Sequence, residues 1–185
     1  MNDSTALRIP LCVDLDGTLI VGDSLRQAVL QLILRRPWLL LPPAAALLTG
    51  GRTAFKESLG AGYLPEPARM PWRQTVLAYL SEQAGLGRRL VLATAAPRRF
   101  AEAVARHLGL FESVISSDAR NNIKGTRKVE AIRTHLGDGP FDYAGDSWTD
   151  LPVFAAARQG IVVSRDARLI EKARSLTRIE RVFPE

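Results

Sequence analysis

The stretch Val13-Asp-Leu-Asp-Gly-Thr-Leu-Ile20 places two carboxylates, a glycine and a threonine directly behind an apolar run, Ile9-Pro-Leu-Cys-Val13. That run is short and β-branched enough to be a buried strand rather than a helix. Side chains alternate along a strand, so Asp14 and Asp16 face the same side, and Gly17 lets the chain turn sharply behind them. Neighbouring carboxylates repel, and each loses solvation on burial. A divalent cation or a shared proton has to offset that penalty. For these few residues alone an ordinary Asp-rich turn is the plain alternative, and the rest of the chain decides between the two.

Four further runs have the same buried-strand character: Arg89-Leu-Val-Leu-Ala-Thr94, Ser113-Val-Ile-Ser116, Phe141-Asp-Tyr-Ala144 and Ile161-Val-Val163. Between them apolar residues recur at helical spacing, as Trp72, Val76 and Leu80, then Phe100, Val104 and Leu108, then Val129, Ile132 and Leu136. Another helix is expected from about Thr149 to Arg158. Pro97 suits a first helical turn, and Gly109 and Gly137 close helices. Strands alternating with helices of this length imply an α/β fold, a parallel sheet covered by helices on both faces.

Residues 22–67 interrupt that pattern. Asp23 or Ser24 can cap a helix in which Leu25, Val29, Leu32 and Ile33 share a face, and Pro37 stops it. A second apolar helix can start at Pro42-Pro43, run through Ala44 to Leu48 and end at Gly50-Gly51, with a third short one from Thr53 to Leu59. Leu64-Pro-Glu-Pro67 then reads as a linker. The expected organisation is a core domain of residues 1–21 and 68–185 with a helical insertion of residues 22–67. Leu25 to Leu34 and Trp38 to Leu48 carry more apolar surface than two short helices easily bury, with Arg35 and Arg36 between them. That combination suits contact with a substrate, a partner or a lipid surface. The prolines and arginines break the apolar stretch, so it is not a transmembrane span.

Composition removes several classes. Hydrophobic residues make up 46% and charged residues 24%, a globular balance. The single cysteine, Cys12, sits inside the first apolar run, so neither an intramolecular disulfide nor a cysteine-based metal site is expected. The polar start Met-Asn-Asp-Ser-Thr lacks the basic-then-apolar pattern of a signal peptide, which points to the cytoplasm. A net charge of +6 raises nucleic-acid binding as a reading. The arginines, however, are scattered, paired only at Arg35-Arg36, Arg88-Arg89 and Arg98-Arg99, with no aromatic platform among them. No nucleic-acid partner is expected, and general attraction to anionic substrates or lipid surfaces is the better reading.

In an open parallel sheet, ligands bind beyond the carboxyl ends of the strands. Strand one ends at Asp14 and Asp16, strand two at Thr94 and strand four at Gly145-Asp-Ser-Trp-Thr-Asp150, with Asn122-Ile-Lys124-Gly125 ahead of strand four. Singly these are a turn, a helix cap and a solvated lysine. Jointly, in this order and at strand ends, they are hard to obtain by accident.

Asp14-Leu-Asp-Gly-Thr18, Leu92-Ala-Thr94, Lys124-Gly125 and Gly145-Asp146 to Asp150 resemble the four motifs of the haloacid dehalogenase (HAD) superfamily of aspartate-nucleophile phosphatases. The insertion resembles the small helical cap of the phosphoserine-phosphatase-like branch. Thr94-Ala-Ala-Pro-Arg-Arg-Phe100 and Gly145-Asp-Ser-Trp-Thr-Asp-Leu-Pro152 are similar to HAD domains fused ahead of UbiA-type prenyltransferases. The tail Arg178-Ile-Glu-Arg-Val-Phe-Pro184 resembles the segment that joins the two in such fusions.

The resemblance implies a Rossmann-like core with the cap inserted after strand one, and a magnesium-dependent phosphomonoester hydrolase. Asp14 would be the nucleophile and Asp16 the acid/base. Thr94 and the amide of Ala95 would hold the phosphate oxygens, and Lys124 would supply positive charge. Magnesium would be held by Asp14, the backbone carbonyl of Asp16, and Asp146, with Asp150 orienting Asp146 or a bound water. Lys128 is the competing lysine, but on a helix starting at Thr126 it is expected to point away from the site. Trp148 is expected to be a packing residue, with a wall for the leaving group as the alternative.

Physical chemistry supports that assignment. A phosphomonoester dianion repels an attacking carboxylate, so a cation is needed to cancel charge. An alkoxide leaving group needs an acid and a halide does not, so the second aspartate argues against a dehalogenase. The expected substrate is a small-metabolite or lipid-linked phosphate, with peripheral association with a membrane or a prenyltransferase as the expected partnership. A non-catalytic HAD-fold module that binds phosphate or recruits a prenyltransferase is the alternative function.

Overall fold

A computed structural model describes residues 8–24, 65–117 and 122–184, together with positions 26, 27, 29, 30, 41, 42, 44, 45 and 48. The chain divides into two compact units, Met1–Val21 with Pro71–Glu185, and Gly22–Met70.

The larger unit is built on a six-stranded, wholly parallel sheet. Its strands are β1 (Leu11–Val13), β2 (Leu90–Pro97), β3 (Ser113–Ser117), β4 (Asp142–Gly145), β5 (Gln159–Val163) and β6 (Arg178–Phe183), in the spatial order β3-β2-β1-β4-β5-β6. Five helices connect them: α1 (Gln74–Gly85), α2 (Arg98–Leu108), α3 (Thr126–Leu136), α4 (Leu151–Ala156) and α5 (Ala167–Leu176). This is an α/β, Rossmann-like architecture.

The chain winds outward from β1 through β2 to β3, then returns to the other side of β1 as β4. That reversal opens a crevice at the carboxyl ends of β1 and β4, where such sheets bind ligands. Register aims specific residues at it. Val13 is level with Ala144, and Asp14 N–H donates to Ala144 C=O at 2.9 Å, so Asp14 is the first residue past the paired strand.

All three residues of β1 are buried, as a central strand requires. One face packs Cys12, Val91, Ala93, Ile115, Tyr143 and Val162 against Ile132, Val153 and Phe154 from the helices. The Tyr143 and Phe154 rings meet edge to face, with centroids 5.3 Å apart.

The structure adds an element and moves others. The sequence reading ends the sheet at β5 and treats residues 178–184 as a joining segment, whereas residues 178–183 form β6 against β5. Register shifts there, with Gly160 opposite Ile179 and Ile161 opposite Arg181, so Glu180 is the extra residue of a bulge. The bulge breaks the alternation that would have marked the strand. Helix α5 leads into it, its N-cap Asp166 accepting from the N–H groups of Arg168 and Leu169. Trp72 lies ahead of α1 rather than on its face, pairing through its backbone with Ile20 while its ring stacks on His107. The helix expected from 149 to 158 is a 3-10 turn, Trp148–Asp150, followed by α4.

In the smaller unit, Ser24, Arg26, Gln27, Val29 and Leu30 are helical, as are Leu41, Pro42, Ala44, Ala45 and Leu48. Pro67–Arg69 is a 3-10 turn. Leu25, Leu32, Ile33, Arg35, Arg36, Pro37, Trp38, Gly50-Gly51, the helix expected at residues 53–59 and Leu64 lie outside the described residues. Among the described residues no helix is long and apolar enough to cross a membrane.

Candidate active site

Two loops at the carboxyl end of the sheet, after β1 and after β4, bring acidic groups together. Asp14 leaves β1 buried, and Asp146 and Asp150 follow β4. Carboxylate oxygens of all three lie within 4.8 Å of one another. Two glycines make this approach feasible. Gly17 turns with φ +76°, and a Cβ there would stand 1.9 Å from Asp146 Oδ2, so the Asp146 carboxylate occupies the space a side chain would take. A Cβ on Gly145 would meet Tyr143 Cε1 at 2.7 Å and the Asp150 carboxyl at 3.1 Å. The loop between Asp14 and Thr18 is fixed on both sides. Thr18 Oγ1 donates to Asp146 Oδ1 at 3.2 Å, and Arg73 Nε donates to Gly17 C=O at 3.0 Å.

Asp150 sits at the end of the 3-10 turn with both oxygens committed. Oδ2 accepts from Ser147 N–H at 3.2 Å and Ser147 Oγ at 2.7 Å. Oδ1 accepts from Tyr143 OH at 2.6 Å and from Lys128 Nζ at 3.0 Å. Lys128 Nζ also lies 3.0 Å from Asp14 Oδ1.

The expectation that Lys128 points away is therefore corrected. Lys128 is buried, 3% exposed, among the carboxylates, whereas Lys124 is exposed. Gly125, at φ +56°, turns the chain into α3. Lys128 and Ile132 then stand one helical turn apart on the face that packs inward. The buried stripe Val129, Ile132, Leu136 was legible, and the lysine four residues before Ile132 was the signal that it begins in the site.

The remaining expected residues fall as follows. Asp16 is half-buried, beyond the end of β1, where it forms a backbone bridge with Ile20. Thr94 is fully buried in β2, and its Oγ1 accepts from Ala96 N–H at 3.0 Å where the β2 register slips. The hydroxyl keeps its own proton to donate. Ala95, beside it, is half-buried. Trp148 is half-exposed, its Nε1 donating to Asp166 Oδ2 at 3.1 Å, so the indole is tethered to the start of α5.

Electrostatics divides the acids into two kinds. Burial pushes Asp14 up to about 7; Lys128 opposes this, while Asp150 and Asp16 add to it. Asp146 is likewise raised to about 7, by burial and then by Asp14 and Asp150. For Asp150 burial pulls upward too, but Lys128 and the hydrogen bonds from Tyr143 and Ser147 outweigh it and hold the group below the ordinary carboxylate range. For Lys128 burial acts to lower the value, and the charges of Asp14 and Asp150 overcome it and raise it. Asp14 and Asp146 are thus crowded carboxyl groups whose ionised forms the protein stabilises poorly, a donor set that fits a hard divalent cation. Asp150 is already satisfied by protein donors and fits an orienting role.

The chain matches known proteins over most of its length. A family model for haloacid dehalogenase-like hydrolases matches residues 11–155. Uncharacterized protein y4nM of Sinorhizobium fredii is 34% identical over 167 residues, which cover 90% of this chain and 32% of y4nM. The chain therefore spans about a third of that relative's length. Among solved structures, a protein with unknown function from Bordetella pertussis Tohama I aligns with a TM-score of 0.62 at 19% identity, covering 94% of this chain and 98% of that one. Phosphoserine phosphatase in its apo form aligns at 0.61 and 12% identity, covering 96% and 94%. A phosphoserine phosphohydrolase-like protein from Francisella tularensis subsp. tularensis SCHU S4 aligns at 0.58 and 16% identity, covering 94% of each chain. At such identities the structural likeness is one of fold. The family match runs from β1 to α4 and includes Asp14, Thr94, Lys128, Asp146 and Asp150, and the chain belongs to the haloacid dehalogenase-like hydrolase family.

Proposed function

We propose that this chain is a magnesium-dependent phosphomonoester hydrolase working through an aspartyl-phosphate on Asp14. The observation that carries the reading is the convergence of Asp14, Asp146 and Asp150 around the buried Lys128 at the strand ends of the crevice. Magnesium would be held by the carboxylates of Asp14 and Asp146 and the backbone carbonyl of Asp16, and when bound it supplies charge against the substrate's dianion.

The chain's own groups account for the rest. The Asp14 carboxylate attacks phosphorus, and the bond to the leaving oxygen breaks as that oxygen takes a proton from Asp16. Asp16, now ionised, takes a proton from water; the water attacks the aspartyl-phosphate, releasing inorganic phosphate and restoring Asp14. Thr94 Oγ and the Ala95 amide donate to the non-bridging oxygens. Lys128, in place of the expected Lys124, presents positive charge where negative charge gathers in the transition state. Asp150 holds Lys128 in place.

Turnover of p-nitrophenyl phosphate with magnesium and with EDTA tests this directly. Rapid release only with magnesium is the expected result, and no release with any divalent cation would sink the reading. The substrate class remains a small-metabolite or lipid-linked phosphate, which a panel of both kinds separates. The proposed membrane or prenyltransferase association is checked by cosedimentation with anionic liposomes. Protein that stays in the supernatant, with a preference for small phosphates, would remove it.

A further inference from the structure

Tyr143 takes no part in the reaction above, yet it touches both groups that flank the nucleophile. Its hydroxyl accepts from Lys128 Nζ at 2.8 Å and donates to Asp150 Oδ1 at 2.6 Å. An ammonium group has three N–H donors. In Lys128 they match three acceptors: Asp14 Oδ1 at 3.0 Å, Asp150 Oδ1 at 3.0 Å and the Tyr143 oxygen.

These acceptors differ in one respect. Asp14 changes charge during turnover, because phosphorylation converts a carboxylate oxygen into the bridging oxygen of an acyl phosphate. Asp150 is held by Ser147 on the 3-10 turn that follows β4. The phenol alone is anchored in the core. Tyr143 is fully buried within β4, its ring packed edge-to-face on Phe154 and lying so near Gly145 that a Cβ there would come within 2.7 Å of Cε1. The ring cannot follow the lysine, so the lysine must stay with the ring.

We propose that Tyr143 is a positioning residue whose hydroxyl ties Lys128 and Asp150 together and holds the ammonium against Asp14 through the catalytic cycle. The proposal rests on the phosphatase reading for its catalytic consequence and on geometry for the tie itself.

Tyr143→Phe removes only the hydroxyl and keeps the ring in the core. Its kcat should fall roughly 10- to 100-fold, the usual weight of a partner that orients an active group. KM and the magnesium concentration for half-maximal rate should stay near the parent's, since neither Asp14 nor Asp146 is altered. A purely structural tyrosine would lower the melting temperature and leave kcat untouched well below it. An unchanged kcat there overturns the proposal.

The tie is also measurable without turnover. Urea midpoints of the parent, Tyr143→Phe, Lys128→Met and the double variant form a cycle, and the two changes should be non-additive because each removes the same contact. Additive shifts overturn the proposal, and Lys128→Leu, which also lacks a donor, takes the place of methionine if that variant does not fold. If the parent hydrolyses no phosphomonoester, the phosphatase reading fails alone and the unfolding cycle still decides the tie.

Discussion

The sheet carries a buried charge cluster at each end, and the two are built on opposite principles. At the amino end Asp142, fully buried at the start of β4, is shared by two guanidinium groups. Arg158 Nε donates to its Oδ1 at 2.9 Å, and Arg88 and Arg158 both reach Oδ2. Arg88 is satisfied in turn by Ile9 C=O at 3.2 Å and Gln83 Oε1 at 2.9 Å. At the carboxyl end three carboxylates converge, and a single ammonium pairs with two of them, Asp14 and Asp150. A cluster whose donors and acceptors all meet within the protein holds strands in place. A cluster with surplus negative charge needs something from outside, and that surplus marks the site.

The comparison breaks most visibly through exchange of an aspartate at each end. Asp14→Asn should abolish turnover, a loss of roughly 10⁴-fold or more for a nucleophile. It should also leave the melting temperature equal or higher, because it relieves a crowded acid. Substantial activity in that variant would remove Asp14 from the reaction. Asp142→Ala should do the reverse. It strands Arg88, whose side chain is 3% exposed, without its counter-charge. Breaking a buried pair from one side destabilises by about 3–5 kcal/mol. The urea midpoint should therefore fall while kcat per folded molecule stays at the parent's value. A loss of kcat without loss of stability would mean the two clusters are coupled through β4.

How legible this was from the residues varies along the chain for physical reasons. β1 to β5 were readable because buried parallel strands are continuous apolar runs. β6 was not, since the Glu180 bulge breaks its pattern. Asp14, Asp146 and Asp150, which the structure brings together, were readable because strand ends and local glycines mark them. Asp142 and Tyr143 sit inside an apparent strand, Phe141-Asp-Tyr-Ala144, with no local sign of their partners. Arg88 lies 54 residues from Asp142 and Lys128 lies 15 from Tyr143, distances over which only the fold makes a pair.

The surplus charge can be sharpened by titration. Asp14 and Asp146 stand near 7 in the metal-free fold against an ordinary 3.8. An acid raised on folding contributes stability that is full below its ordinary value and is lost as pH rises through the folded value. Asp150, held low, acts the other way, but only in the range near and below the ordinary value. With EDTA the melting temperature should therefore decline between about pH 5 and 8. Magnesium competes with protons for the same oxygens, so its stabilisation should grow over that interval, reaching about 2.7 kcal/mol at a hundredfold excess over Kd. Asp146→Asn should flatten both curves. A melting temperature that climbs from pH 5 to 8 in EDTA and ignores magnesium would show that these carboxylates are balanced within the protein.

The smallest effect is expected at the residue the sequence favoured. Lys124 is exposed on the loop before α3, and Lys124→Ala should leave stability within roughly 0.5 kcal/mol and turnover within about twofold of the parent. Lys128→Met, one helical turn further on, removes the buried ammonium and should eliminate most of kcat. It should also free Asp14 and Asp150 to repel one another, so a melting temperature measured in EDTA should fall with it. Parallel kinetics on the two variants decide which lysine serves the reaction. If Lys124→Ala lost turnover while Lys128→Met kept it, the buried lysine would join Arg88 and Arg158 as a structural counter-charge. The contrast between the two ends of the sheet would then rest on the carboxylates alone.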